Sequence, residues 1–117
     1  DIDLFVPGEH FSSVVQAGHQ FISKAAAHRR EEGWDLTYVQ FKYEGVKVEV
    51  GNADGAQIFD AGNETWVPLN IDFSRYATVQ LLGLNLPLML KDDLVQYKTL
   101  LSRPVDIEDI HAIRAKA

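Results

Sequence analysis

The sequence predicts an α+β fold: a mixed, mainly antiparallel sheet with helices packed on one face, and two short helices at the C-terminal end. Three observations predict it. The segments DIDLFV, WDLTYVQFKYEGVKVEVG, YATVQLL and LPLML alternate or run apolar between turn residues, as strands do. Between the first two, apolar residues recur every three to four positions, as on a helix. From Lys91 onward two further helical patterns are divided by Pro104. The 117 residues make one domain, 1–117, and with 46% apolar residues it has enough to bury a core.

The first strand places Asp1, Asp3 and Phe5 on one face and Ile2, Leu4 and Val6 on the other. Two carboxylates about 7 Å apart along a strand repel unless a proton, a cation or water separates them. A divalent metal is one explanation and a solvated chain end is the other. Pro7 and Gly8 then turn the chain. Phe11, Val14, Val15, Gly18, Phe21, Ile22, Ala25 and Ala26 share one helical stripe, so the spacing predicts an amphipathic helix over 10–31. Gly33 would stop it, with Arg29 and Arg30 solvated at the negative end of its dipole.

The next segment is a hairpin around Glu44 and Gly45, whose two-residue loop fixes the register. Tyr43 faces Val46, Phe41 faces Val48 and Val39 faces Val50, while Lys42 meets Lys47 and Gln40 meets Glu49 on the reverse side. The helix should pack on the valine side. If DIDLFV joins this sheet with Ile2, Leu4 and Val6 toward the helix, then Asp1, Asp3 and Glu49 gather on the opposite face. Three hard oxygen donors there suit Mg²⁺. The alternative is an exposed sheet face on which Lys42 and Lys47 pair with Glu49.

Residues 51–71 read as loop with short strands at QIF and TWV, and YATVQLL and LPLML as strands around Gly83 and Asn85. In the tail a helix is predicted from Asp92, as cap, to Leu101, and a second opening near Pro104 and Asp106. Lys98 stands at the edge of the Leu90, Leu94, Tyr97, Leu101 stripe, where a lysine must snorkel or meet an anion. Arg103, Asp106 and Asp109 are spaced to form an ion-paired corner between the helices.

Bulk properties exclude several classes. There is no cysteine, so disulfides, thiolate zinc sites and thiol nucleophiles are absent, and an intracellular, cytoplasmic location is the expectation. No stretch is apolar enough for a membrane span, so no membrane partner is expected. With 11 basic and 17 acidic residues, net −6, nucleic-acid binding is disfavoured and a cation site is compatible. The four histidines lack metalloprotease spacing, and no serine has an evident His and Asp escort. An Asp-x-Asp phosphatase of the haloacid-dehalogenase type would want an apolar strand before the pair and Thr or Val soon after it, where Leu4 and Phe5 fit poorly, and the parallel α/β alternation of that class does not follow.

Taken together, DIDLFV, EGVKVEV and LPLMLKDDLVQYKTLLSRPVDIEDI closely resemble the minimal nucleotidyltransferase family of the polymerase-β-like superfamily, over nearly the whole chain. The resemblance implies a nucleotidyltransferase-like fold and transfer of a nucleoside monophosphate from a nucleoside triphosphate to an acceptor hydroxyl of a small molecule or protein. It implies two Mg²⁺ ions about 3.5–4 Å apart between the carboxylates and the triphosphate. Asp1 and Asp3 match the family's Asp-x-Asp pair, with Glu49 as third acid, metal ligand and aid to deprotonation. Lys98, Arg103, Asp106 and Asp109 match the family's tail, with Lys98 and Arg103 as contacts for the nucleotide. The family's Gly-Ser element, about a dozen residues before the acids, is missing, which implies an N-terminally truncated chain whose competence as it stands is in question. The alternative implied by the same superfamily is an antitoxin-like binding module with idle acids, acting through a protein partner or as a homodimer.

Overall fold

The structure is a computed structural model that describes residues 2–81 and 83–116. It bears out the α+β class. Its strands are β1 (Ile2–Val6), β2 (Ile22–Glu31), β3 (Trp34–Tyr43), β4 (Val46–Asn52), β5 (Gln57–Asp60), β6 (Thr65–Pro68), β7 (Ala77–Leu81) and β8 (Leu84–Leu88). Its helices are α1 (Gly8–Ala17), α2 (Lys91–Leu101) and α3 (Pro104–Ala115). Among the described residues, six strands form one sheet in the order β1-β4-β3-β5-β6, with β2 also paired to β3, and β7 and β8 form a separate antiparallel pair. The chain divides into two compact units: one runs to Ile58 and includes Val67–Asn70, the other comprises Phe59–Trp66 and the chain from Ile71 onward.

In the first unit, Glu44 and Gly45 both take positive φ, 48° and 81°, the conformation of a type I′ hairpin turn whose twist matches that of the strands it joins. The register is the expected one, from Tyr43 opposite Val46 to Val39 opposite Val50 and Gln40 opposite Glu49. β1 adds to β4 in parallel, with Asp3 opposite Glu49 and Leu4 opposite Val50. On the valine face, Phe11 of α1 meets the buried Val39 and Val50, and Val6, Val14, Val15, Ile22, Phe41 and Val48 pack around them. The other face holds its own apolar cluster, Leu36, Tyr38 and Ala56 with Phe5, Trp34 and Leu69.

The helix expected over 10–31 is overturned. α1 ends at Ala17, a single 3-10 turn spans His19–Phe21, and Ile22–Glu31 is a strand. Gly18 marks the break: a Cβ there would lie 2.5 Å from the Phe41 ring, so the chain passes too close to β3 for any side chain. Gly33, read as a helix stop, is the second residue of another type I′ turn, with Glu32 at φ 51° and Gly33 at φ 85°. Arg29 and Arg30 therefore lie on β2 and not in a helical turn. The run SKAAAHRR favours a helix by local propensity, and pairing with β3 overrides it.

In the second unit, β7 and β8 pair as expected, with Gly83 at φ 78°. α2 begins at Lys91 with Leu90 in the cap position and no side-chain cap bond, so Asp92 sits in the first turn, where it favours the helix dipole, and is not the cap. Pro104 opens α3, as predicted.

Val39 is fully buried between α1 and the sheet. Val39→Ala should lower unfolding stability by about 2 kcal/mol, read in urea as a lower midpoint at unchanged slope.

Candidate metal site on the sheet

Three strands bring the site together. Asp3 on β1 and Glu49 on β4 are Cα partners, and Glu49 is in turn the partner of Gln40 on β3. Strands lie about 4.8 Å apart and in-register side chains share a face, so these three side chains stand in one row. Asp3 is exposed, Glu49 half-buried and Gln40 buried. Gln40 Nε2 donates to Glu49 Oε2 at 3.3 Å, and the Ser23 hydroxyl donates to Gln40 Oε1 at 2.9 Å. Asp1, the remaining predicted acid, lies outside the described residues.

The same face carries Tyr38, two residues before Gln40. Its hydroxyl donates to Glu31 at 2.7 Å, and its pKa is pushed up to about 12, first by burial and then by that bond, with Glu49 adding a smaller push. Arg29 lies over the Tyr38 ring, 4.3 Å from its centroid. Its Nη1 donates to the Tyr38 carbonyl at 2.9 Å and its Nη2 to the Ala25 carbonyl at 2.8 Å.

Two carboxylates in adjacent register fit Mg²⁺, which is held by one or two carboxylates and completed by water and substrate phosphates. Among the described residues no set of three His, Cys, Asp or Glu side chains gathers to hold a metal. Nor is any helix among them long and apolar enough to cross a membrane.

A comparison with solved structures finds a candidate nucleotidyltransferase from Thermotoga maritima, matched with a TM-score of 0.70 over 100% of this chain and 71% of that one, at 20% sequence identity. The fold is nucleotidyltransferase-like. No protein-family model matches the chain, and no curated protein matches it. At that identity the likeness speaks for the fold, and the chemistry has to be judged on the residues.

Lys98 and Arg103 belong to the second unit, where both engage acids. Lys98 Nζ is 2.7 Å from Asp109 and 3.7 Å from Asp106, so the lysine at the edge of the stripe does meet an anion. Burial presses its pKa down, but the bond to Asp109 and the nearby charges of Tyr97, Asp109 and Asp106 outweigh it and leave it raised. Arg103 donates through Nε to Asp106 Oδ2 at 2.7 Å and through Nη2 to Oδ1 at 3.0 Å. The Asp106 carboxylate also accepts from the Arg103 backbone N–H, so the aspartate in the first turn of α3 reaches back to the cap residue. Burial of Asp106 would raise its pKa, yet the Arg103 bonds and the Lys98 charge hold it below the usual carboxylate range.

The sequence reading missed Ser23, Arg29 and a cluster on the opposite face of β3, where Asp35 accepts from His28 Nε2 and from Arg30 at 2.9 and 3.0 Å. The His28 bond, then the Arg30 bond, hold Asp35 below the usual carboxylate range. All three lie on or against β2, the strand mistaken for a helix. The Gln40–Glu49 pairing was legible from the turn alone.

A depressed carboxyl pKa stabilises the fold above the unfolded value, near pH 4, and that contribution disappears as pH falls through the folded value. Asp106→Asn should therefore cost about 3 kcal/mol at neutral pH, because it leaves Arg103 and Lys98 short of a buried partner. Denaturant unfolding should show the gap between wild type and variant shrinking on acidification below about pH 4.

Proposed function

We propose that this chain is a metal-dependent nucleotidyltransferase, moving a nucleoside monophosphate from a nucleoside triphosphate to an acceptor hydroxyl. The observation that carries the reading is the in-register pairing of Asp3 with Glu49 on one face of a sheet of nucleotidyltransferase-like topology. In this reading Asp3 and Glu49 hold Mg²⁺, and the resemblance assigns Asp1 to the same set. The ion, when bound, neutralises charge on the triphosphate and the departing pyrophosphate.

The acceptor oxygen attacks the α-phosphorus in line, the bond from that phosphorus to the α,β-bridging oxygen breaks, and pyrophosphate leaves. The hydroxyl proton passes to a base, an aid the resemblance gives to Glu49. The contribution of the protein is positioning and fixed charge, as in other phosphoryl transfers. Two acids held by hydrogen-bonded strands, with Glu49 further tied by Gln40, are oriented before substrate arrives. The phosphate-binding roles of Lys98 and Arg103 rest on the resemblance, since both side chains are engaged with acids in their own unit.

Calorimetric titration of the full chain with each nucleoside triphosphate, with Mg²⁺ and then with excess chelator, tests the reading. Binding should require the metal and fall at least about tenfold in Asp3→Asn and in Glu49→Gln. Binding that ignores the chelator and both substitutions would overturn it, and a tight metal-independent complex with another protein would favour the binding module.

A further inference from the structure

We propose that Gln40 is a positioning residue that confines Glu49 to one free oxygen and thereby makes the site prefer a Mg²⁺-class ion over Ca²⁺. The inference rests on the metal-dependent reading above and goes beyond it, to which ion the site selects and why.

The orientation of the Gln40 amide follows from what its neighbours can do. A carboxylate only accepts hydrogen bonds, so the end of the amide facing Glu49 is the NH₂ group, at 3.3 Å from Oε2. The carbonyl end then faces Ser23, whose hydroxyl donates to Oε1 at 2.9 Å and lies 3.3 Å from the Gln40 backbone oxygen. Gln40 is 8% exposed, so water does not compete freely for either end. Ser23, Gln40 and Glu49 thus form a directed chain across three strands.

β2 is irregular where this chain begins. From Ile22 to Lys24 it advances two residues while β3 advances one, from Phe41 to Gln40, and between Lys24 and Ala27 it gains a further residue. Such bulges re-aim side chains and are common beside active sites. The first one turns the Ser23 hydroxyl onto Gln40 while Ile22 stays in the core with Phe11. A regular strand would offer one residue opposite Gln40, and the bulge supplies a second.

The consequence for metal choice is chemical. Ca²⁺ takes six to eight oxygens and often binds a carboxylate through both of them, whereas Mg²⁺ holds six ligands in a near-ideal octahedron. The Gln40 amide presents its positive end to Oε2 and opposes a cation on that side. Glu49 is left with Oε1, a one-oxygen ligand that suits the smaller ion.

The test is calorimetric titration of the full chain with Mn²⁺, standing in for Mg²⁺, and with Ca²⁺, in wild type, Gln40→Met and Ser23→Ala. Wild type should bind Mn²⁺ more tightly than Ca²⁺. Gln40→Met, of similar volume but without the donor, should lose about tenfold in Mn²⁺ affinity while Ca²⁺ affinity holds or rises, so that the ratio between them collapses. Ser23→Ala leaves Gln40 packed but frees its amide, and should move the ratio the same way by a smaller factor, which decides the matter if Gln40→Met fails to fold. A merely structural role would weaken both ions together. An unchanged ratio in folded variants would overturn the role of Gln40 and leave the metal reading standing, whereas wild type that binds neither ion would remove both.

Discussion

The registered ladder β1-β4-β3 is the constraint on which everything else depends. Glu44 and Gly45 fix the pairing of β3 with β4, and β1 then takes its place by matching Leu4 to Val50 and Asp3 to Glu49. A slip of one residue would turn Glu49 toward Phe11 and α1, and would move Val39 or Val50 out of the core. Because both faces of the sheet carry packed apolar side chains, such a slip would be penalised on two sides at once. The site inherits its precision from the core.

The face opposite α1 is divided. Phe5 and Trp34, with ring centroids 6.1 Å apart, pack with Leu36 and Tyr38 over one part, and Asp3, Glu49 and Gln40 occupy the row beside it. Glu49 is half-buried beside this cluster, and the Gln40 amide supplies a donor to one of its oxygens. Arg29 completes the neighbourhood by capping the Tyr38 ring and donating to two carbonyls, that of Tyr38 on β3 and that of Ala25 at the irregular part of β2. In the second unit the Lys98, Arg103, Asp106 and Asp109 cluster joins α2 to α3 by charge, with Asp106 fully buried as its hub.

The elements legible in the sequence are those whose signals are local. A two-residue Glu-Gly loop between alternating strands dictates partners residue by residue, so Glu49, Gln40 and the valine face followed from it. Pro104 and the spacing of Arg103, Asp106 and Asp109 likewise announced the helix boundary and its ion pairs. β2 was not legible, because Ser23–Arg30 is rich in helix-favouring residues and poor in β-branched ones, and its strand form comes from pairing with β3. With β2 misread, Ser23 and Arg29 could not be placed in the site. Gly18 was the available signal: a glycine inside an apolar helical stripe weakens the helix, and here it ends it.

The central claim is that Asp3 and Glu49 grip one divalent ion between β1 and β4. Crystals of the protein soaked in Mn²⁺ and measured for anomalous scattering test it most directly. The account predicts a strong peak within coordination distance of a carboxylate oxygen from each of the two residues, and its disappearance in Glu49→Gln crystals. A peak elsewhere, or one that persists without the Glu49 carboxylate, would contradict it.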